Sequence, residues 1–182
     1  MNLVTLADGS RYMVDVSFGG DGATQPLSLV PEQAVQNLGS QEIRLAWDVL
    51  PEQVSSRTKH WIYQYRNGPN LDWNSYYAFT EHEWLERDFE GPNFYVNTHP
   101  DSFQRHGQLV VKFLREGDRI VGKRMLAGAV IKENLGGRTQ VLQVCHTEEE
   151  RIKALKDHLG LLLTPEEIAG IKGYETELRN GV

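Results

Sequence analysis

One acid stands where acids are rare. Asp15 lies between Val14 and Val16 in RYMVDVSF (11–18), a segment that reads as a β-strand, and aspartate is depleted in strands. Alternation along a strand puts Met13, Asp15 and Ser17 on one face and Tyr12, Val14 and Val16 on the other. The carboxylate therefore shares a face with a methionine, and if that face is even partly buried it must find donors. The residue type supports two roles. Asp15 can accept hydrogen bonds from amides of the glycine loop that follows, or sit on the open face of a barrel. Alternatively, it can orient a histidine through its ring N–H and stabilise the imidazolium, as the acid of a nucleophile–His–Asp triad does.

The residues next in line fit a binding wall. Phe18 and the loop Gly19, Gly20, Asp21, Gly22 follow directly. An aromatic ring after such a strand can line an aryl pocket, and glycines let a ligand approach the backbone closely. An aromatic core plug followed by an ordinary turn accounts for the same residues. Nucleophiles are scarce: Cys145 is the single cysteine, which excludes an intrachain disulfide and a thiolate-rich zinc site. It ends a predicted strand beside His146, and consecutive strand residues point to opposite faces, so the two cannot form a nucleophile–base couple. Cys145 reads as structural. His60, His82, His99, His106 and His158 show no metal-ligand spacing, and no metal site is expected.

The elements that must position these residues are mostly strands. LVTLA (3–7), Asp8-Gly9 and RYMVDVSF form a predicted hairpin, since Asp-Gly supplies the positive φ angles of a tight turn. EIRLAWDVL (42–50), HWIYQYRN (60–67) and WNSYYAF (73–79) continue a β-meander, punctuated by Pro51 and Asn67-Gly68-Pro69. The pattern changes at Thr80, where TEHE (80–83) reads as a capping box opening a helix that Gly91-Pro92 would interrupt. QLVVKFLR (108–115), RIVGKRML (119–126), AGAVIKE (127–133) and RTQVLQVC (138–145) predict a second antiparallel sheet. TEEE (147–150) opens a helix ended by Gly160, and TPEE (164–167) opens a last short one. The expected class is α+β: a β-barrel-like module at 1–79, a helical connector at 80–107, and an α/β lid of antiparallel sheet with covering helices at 108–182.

Charge adds a constraint on partners. The 182 residues carry a formal charge of -6, which argues against nucleic acid as the main partner. Residues 101–140 nevertheless hold eight basic side chains, Arg105, Lys112, Arg115, Arg119, Lys123, Arg124, Lys132 and Arg138, against four acids. Such a segment suits a small phosphorylated polyanion, and equally the solvated faces of antiparallel strands. No run approaches the roughly 18 apolar residues of a membrane span, and the opening MNLVTLADGS lacks the basic region and apolar length of a signal peptide, so the expected compartment is the cytoplasm.

YMVDVSFGGDGATQPLSL (12–29) resembles the segment of arylamine N-acetyltransferases that carries their triad aspartate, in which a strand ending Val-Asp-Val-Gly-Phe-Gly leads through a glycine-bearing loop to Pro-Leu. EWLERDFEGPNFYVNTHPDSF (83–103) is similar to the family's Asp-Phe-x-x-x-Asn followed by Ser/Thr-x-Pro-x-Ser-x-Phe. These blocks, LVTLADGSRY (3–12) and the terminal sheet and helix occur in the family's order over nearly the whole chain. The resemblance implies acetyl-CoA-dependent transfer to aromatic amines or hydrazines by a ping-pong route through an acetyl-cysteine.

What it implies residue by residue is narrower. Asp15 would be the triad acid, with the Cys in an N-terminal helical domain and the His at the start of the strand leading into the hairpin. Both would fall at or before Met1, so the expectation is a C-terminal portion, inactive alone, or a non-catalytic module binding the missing helical domain or a full-length paralogue. Phe18, Gly19 and Gly20 would flank the acceptor, and Thr98 and Ser102 would contact coenzyme A. Ser17 stands where the family usually has glycine.

Overall fold

The computed structural model describes residues 1–178 and divides them into two compact units. Residues 179–182, the end of the expected lid, lie outside the described residues. The first unit comprises 1–82 with the short segments 114–122 and 135–138. It is built from β1 (Asn2–Thr5), β2 (Arg11–Val14), β3 (Leu27–Ser28), β4 (Val35–Gln36), β5 (Glu42–Asp48), β6 (His60–Arg66) and β7 (Asn74–Phe79). The predicted hairpin is present. Leu3 pairs with Met13, Gly9 takes φ +85°, and the Asp8 carboxylate accepts from the Ser10 amide at 2.9 Å. β2 ends at Val14, however, and not at Phe18.

These strands form two antiparallel sheets, ordered β1-β2-β3 and β4-β5-β6-β7. Alternation decides what goes inside. Met13, Ile43, Leu45, Trp61, Tyr63 and Phe79 are buried in one core with Leu27, and the partly buried Tyr65, Tyr76 and Tyr77 pack against it. Among the described residues no sheet closes on itself, so the barrel-like module is a pair of open sheets.

One irregularity bears on the site. Tyr63 pairs with Tyr77, but its neighbour Gln64 pairs with Ser75. Tyr76 is therefore an extra residue in β7, a β-bulge. A bulge breaks the two-residue alternation and re-aims side chains. Tyr76 and Tyr77, adjacent in sequence, consequently turn toward the same core.

The second unit holds 83–113, 123–134 and 139 onward. The helix expected from Thr80 begins later. Glu81 instead accepts hydrogen bonds from Arg11 Nη2 at 2.7 Å and Trp61 Nε1 at 2.8 Å within the first unit, which keeps the chain extended there. A 3₁₀ turn over Glu86–Phe89 opens where Asp88 accepts from the Leu85 amide, and α1 (Glu90–Thr98) and α2 (Phe103–His106) follow. Gly91-Pro92 falls in the first turn of α1, where an amide lacks an intrahelical partner in any case, so proline is tolerated.

The third sheet is a meander of β8 (Leu109–Glu116), β9 (Arg119–Ala127), β10 (Val130–Leu135) and β11 (Arg138–Val144). α3 (Glu148–Ala154) is capped by Thr147, runs on as one wider π turn, and stops at Gly160 with φ +71°. α4 (Pro165–Ala169) carries the predicted Thr164–Glu167 capping box. Leu126, Ile131, Cys145, Ala154, Leu155 and Leu159 form this unit's core. Among the described residues no helix is long and apolar enough to cross a membrane.

Candidate functional site

Asp15 comes one residue after β2, where the strand gives way to the bend that starts the glycine loop. It is half-buried and not enclosed. Its oxygens are divided between two partners. Oδ1 accepts from the Ser17 amide at 2.9 Å and the Ser17 hydroxyl at 2.8 Å. Oδ2 accepts from the Tyr77 hydroxyl at 2.7 Å. Burial pushes the Asp15 carboxyl up, but the Ser17 amide, the Tyr77 hydroxyl and the Ser17 hydroxyl outweigh it and leave the group below its ordinary value of 3.8. Asp15 is thus a charged carboxylate at neutral pH. Of the about four lone-pair sites a carboxylate offers, three are taken, and the fourth is on Oδ2.

The tyrosine side of this arrangement is equally well defined. Burial, then the hydrogen bond to Asp15, pushes the Tyr77 hydroxyl far above its usual range, so it remains a donor. Tyr77 also lies 3.7 Å from Met13 Sδ, which fixes its ring against the core. Tyr76 is raised too, by burial first and then by the negative charge of Asp21.

Phe18 stands at the mouth of this cluster. It packs edge-on against Tyr63, Tyr76 and Tyr77 with centroids 6.3, 5.3 and 4.9 Å away. It remains 38% exposed. Gly19 to Asp21 make a 3₁₀ turn. Gly19 has φ +72° with open space where a side chain would be, so glycine both permits the conformation and leaves the backbone approachable. Gly20 is buried. The loop beyond is pinned by the buried Asn37, which accepts from the Thr24 amide at 2.9 Å and donates to the Gly22 carbonyl at 3.3 Å and Gln41 Oε1 at 2.7 Å.

The structure therefore brings Asp15, Phe18, Gly19 and Gly20 together in the first unit. Thr98 and Ser102 belong to the second. Their hydroxyls donate to the Phe94 and Val96 carbonyls, both at 2.6 Å, which ties α1 to its C-terminal turn. Arg105 donates to the Thr98 carbonyl at 2.9 Å, and Arg124 pairs with Glu133 at 2.6 Å, so these two members of the basic segment have structural partners. Cys145 is buried in the second core, and burial raises its thiol. It is not a poised nucleophile. Among the described residues no group of histidine, cysteine and acid side chains could hold a metal ion.

Sequence reasoning missed the tyrosines. HWIYQYRN and WNSYYAF read as strands, but strict alternation sends Tyr76 and Tyr77 to opposite faces. Nothing in the residue types announces the bulge that reunites them.

The first unit thus presents a charged carboxylate, held by Ser17 and Tyr77, beside the ring of Phe18. The sequence profile of the N-acetyltransferase family matches residues 1–168, and the chain belongs to that family of acyltransferases. It is 33% identical over 181 residues to N-malonyltransferase FDB2 of Fusarium pseudograminearum, covering 94% of this chain and 52% of that protein. The chain thus spans about half the length of the curated relatives it matches.

Among solved structures, it is similar to the arylamine N-acetyltransferase of Salmonella typhimurium, with a TM-score of 0.69 and 27% identity over 93% of this chain and 58% of that one. The fold is also that of the Mycobacterium marinum arylamine N-acetyltransferase in complex with CoA, with a TM-score of 0.69 and 21% identity over 97% and 56% of the two chains.

Proposed function

We propose that Asp15 is the acid of a Cys-His-Asp acyl-transfer centre that takes an acetyl group from acetyl-CoA and passes it to an aromatic amine or hydrazine. The observation that supports this most is the state of Asp15. It is charged, its Oδ1 is satisfied by Ser17, and the remaining site on Oδ2 suits a ring N–H. An imidazole donating there is held in one tautomer and stabilised when it protonates. In the ping-pong scheme, a cysteine thiolate attacks the acyl carbon and the coenzyme thiolate leaves. The amine nitrogen then attacks the acyl-cysteine, the cysteine sulfur leaves, and the imidazole takes the amine proton.

Among the described residues, Asp15 is hydrogen-bonded by Ser17 and Tyr77 and by no histidine. The 182-residue polypeptide on its own is therefore expected to transfer no acyl group. Phe18, Gly19 and Gly20 form the acceptor wall of this scheme. Thr98 and Ser102 are assigned to coenzyme A on the resemblance alone; both hydroxyls already donate to carbonyls of α1, and Ser102 is buried. The single unpaired cysteine supports a reducing, cytoplasmic setting.

The acceptor part is tested by NMR titration with aniline. Saturable shifts confined to Asp15 and 17–20 are expected, and their absence overturns the assignment. Since relatives at 32–33% identity are N-malonyltransferases, assays should include malonyl-CoA beside acetyl-CoA.

A second reading, a non-catalytic module that binds a partner polypeptide, is favoured by the connector. Trp84, Leu85, Phe89, Phe94, Tyr95 and Phe103 are all about half or more exposed, and neither α1 nor α2 buries a residue. Exposed apolar side chains of this kind suit association with the helical part of the family fold or a full-length paralogue. Size-exclusion chromatography that finds a stable monomer indifferent to such a partner would discount it.

A further inference from the structure

We infer that Tyr63 is a positioning residue for the acceptor site: from the centre of β6 it holds the segment Phe18–Asp21 against the core, while its cross-strand partner Tyr77 holds Asp15. This deepens the acceptor assignment above and rests on it for its functional meaning.

Tyr63 and Tyr77 stand directly opposite each other in β6 and β7, and side chains so paired share one face of a sheet. Their ring centroids are 5.2 Å apart. Tyr63 is fully buried. A hydroxyl taken out of water needs a partner, and this one donates to the Asp21 main-chain carbonyl at 3.0 Å. Burial first, and then the charges of Asp21 and Asp15, push the hydroxyl above its usual range, so it keeps the proton it donates. The Tyr77 hydroxyl donates to Asp15 Oδ2 at 2.7 Å. One pair of opposed rings therefore sends one hydrogen bond to the acid and one to the wall.

Tyr63 also touches the other end of the wall. Its ring meets Phe18 edge-on, with centroids 6.3 Å apart and an interplanar angle of 89°, while its hydroxyl takes Asp21, the last residue of the 3₁₀ turn. A single side chain thus contacts both ends of the segment. The Gly22 amide closes the turn on the Gly19 carbonyl at 3.0 Å, and Gly20 and Gly22 are buried. The next carbonyl, that of Gly22, accepts from the buried Asn37 at 3.3 Å. Two successive carbonyls are therefore held by buried donors. A wall set in place before the ligand arrives spares the binding step the cost of ordering it. Removing the Tyr63 hydroxyl loosens the wall and leaves the hydrogen bonds of Asp15 intact.

The test uses the full 182-residue chain and compares two variants that each lose one hydroxyl. Tyr63→Phe keeps the ring contacts and removes the bond to Asp21. Hydrogen exchange at the Gly22 amide should quicken about fivefold, the size expected for one neutral hydrogen bond. Aniline affinity should fall severalfold, while the Asp15 carboxyl titrates as in the unaltered chain. Tyr77→Phe removes the other hydroxyl of the same pair and should do the reverse, moving the Asp15 carboxyl upward and leaving Gly22 exchange as it was. A general loosening of the core would instead quicken Gly22 exchange in both variants.

Unchanged Gly22 exchange in Tyr63→Phe, equal acceleration in both variants, or faster exchange with aniline affinity intact overturns the inference. If aniline does not perturb Phe18–Gly20 even in the unaltered chain, the acceptor assignment falls instead. The Gly22 comparison then still decides whether Tyr63 anchors the turn.

Discussion

Asp15 is the proposed acid of the acyl-transfer centre, and its hydrogen bonds predict how it titrates. Its folded-state value lies below the ordinary 3.8, so it contributes stability above that pH, which is lost as pH falls through the folded value. Tyr77→Phe removes one of the donors and should move the carboxyl back toward its ordinary value. The variant should be less stable by about 1 kcal/mol at neutral pH, a figure already discounted for the partial exposure of Asp15. The gap to the unaltered chain should close below about pH 4. A carboxyl-detected NMR titration of Asp15, with urea melts at pH 7 and pH 3, measures both. Ser17 is informative in the same way. Glycine at this position would keep the amide bond to Oδ1 and lose the hydroxyl bond, so the serine draws the carboxylate further toward its charged form.

At the scale of elements, the hairpin, the meander strands and the last two helices follow from local chemistry that residue types carry openly. Asp8-Gly9 dictates the turn between β1 and β2, and Thr164-Pro165 with Glu167 dictates the start of α4. Three features were not legible. The capping pattern at Thr80–Glu83 is locally valid, but Arg11 and Trp61, distant in sequence, hold Glu81 and keep the chain extended. β3 and β4 have two residues each, too few to show a period. The bulge at Tyr76 depends on the pairing partner of β7, which no single segment encodes.

The same reasoning makes a prediction at Gly39, which no turn signal singles out. Its φ of +53° disfavours any side chain, and a Cβ there would lie 2.9 Å from both Gly136 Cα and the Val121 carbonyl, all within the first unit. Gly39→Ala should therefore cost about 2–3 kcal/mol, read as a lower denaturation midpoint with an unchanged slope. An effect below 0.5 kcal/mol would show that the backbone there yields easily.

At the scale of the whole molecule, the helical stretch 83–107 of the second unit is thinly buried. Its helices bury no residue, and helices that short are marginal without packing. Limited proteolysis should cut first between Trp84 and Gly107, with chymotrypsin favouring Phe89, Phe94 or Tyr95. First cleavage within β5 or β6 would contradict this.

The proposed role of Asp15 is to accept an imidazole N–H, and among the described residues its hydrogen-bond partners are Ser17 and Tyr77. The direct measurement is acyl transfer by the purified 182-residue polypeptide, using acetyl-CoA or malonyl-CoA with an aromatic amine or hydrazine. No product above the uncatalysed rate is expected from the chain or from its Asp15→Ala variant. Steady turnover that Asp15→Ala abolishes would show that a working nucleophile and base already lie within these residues, and the account would be wrong.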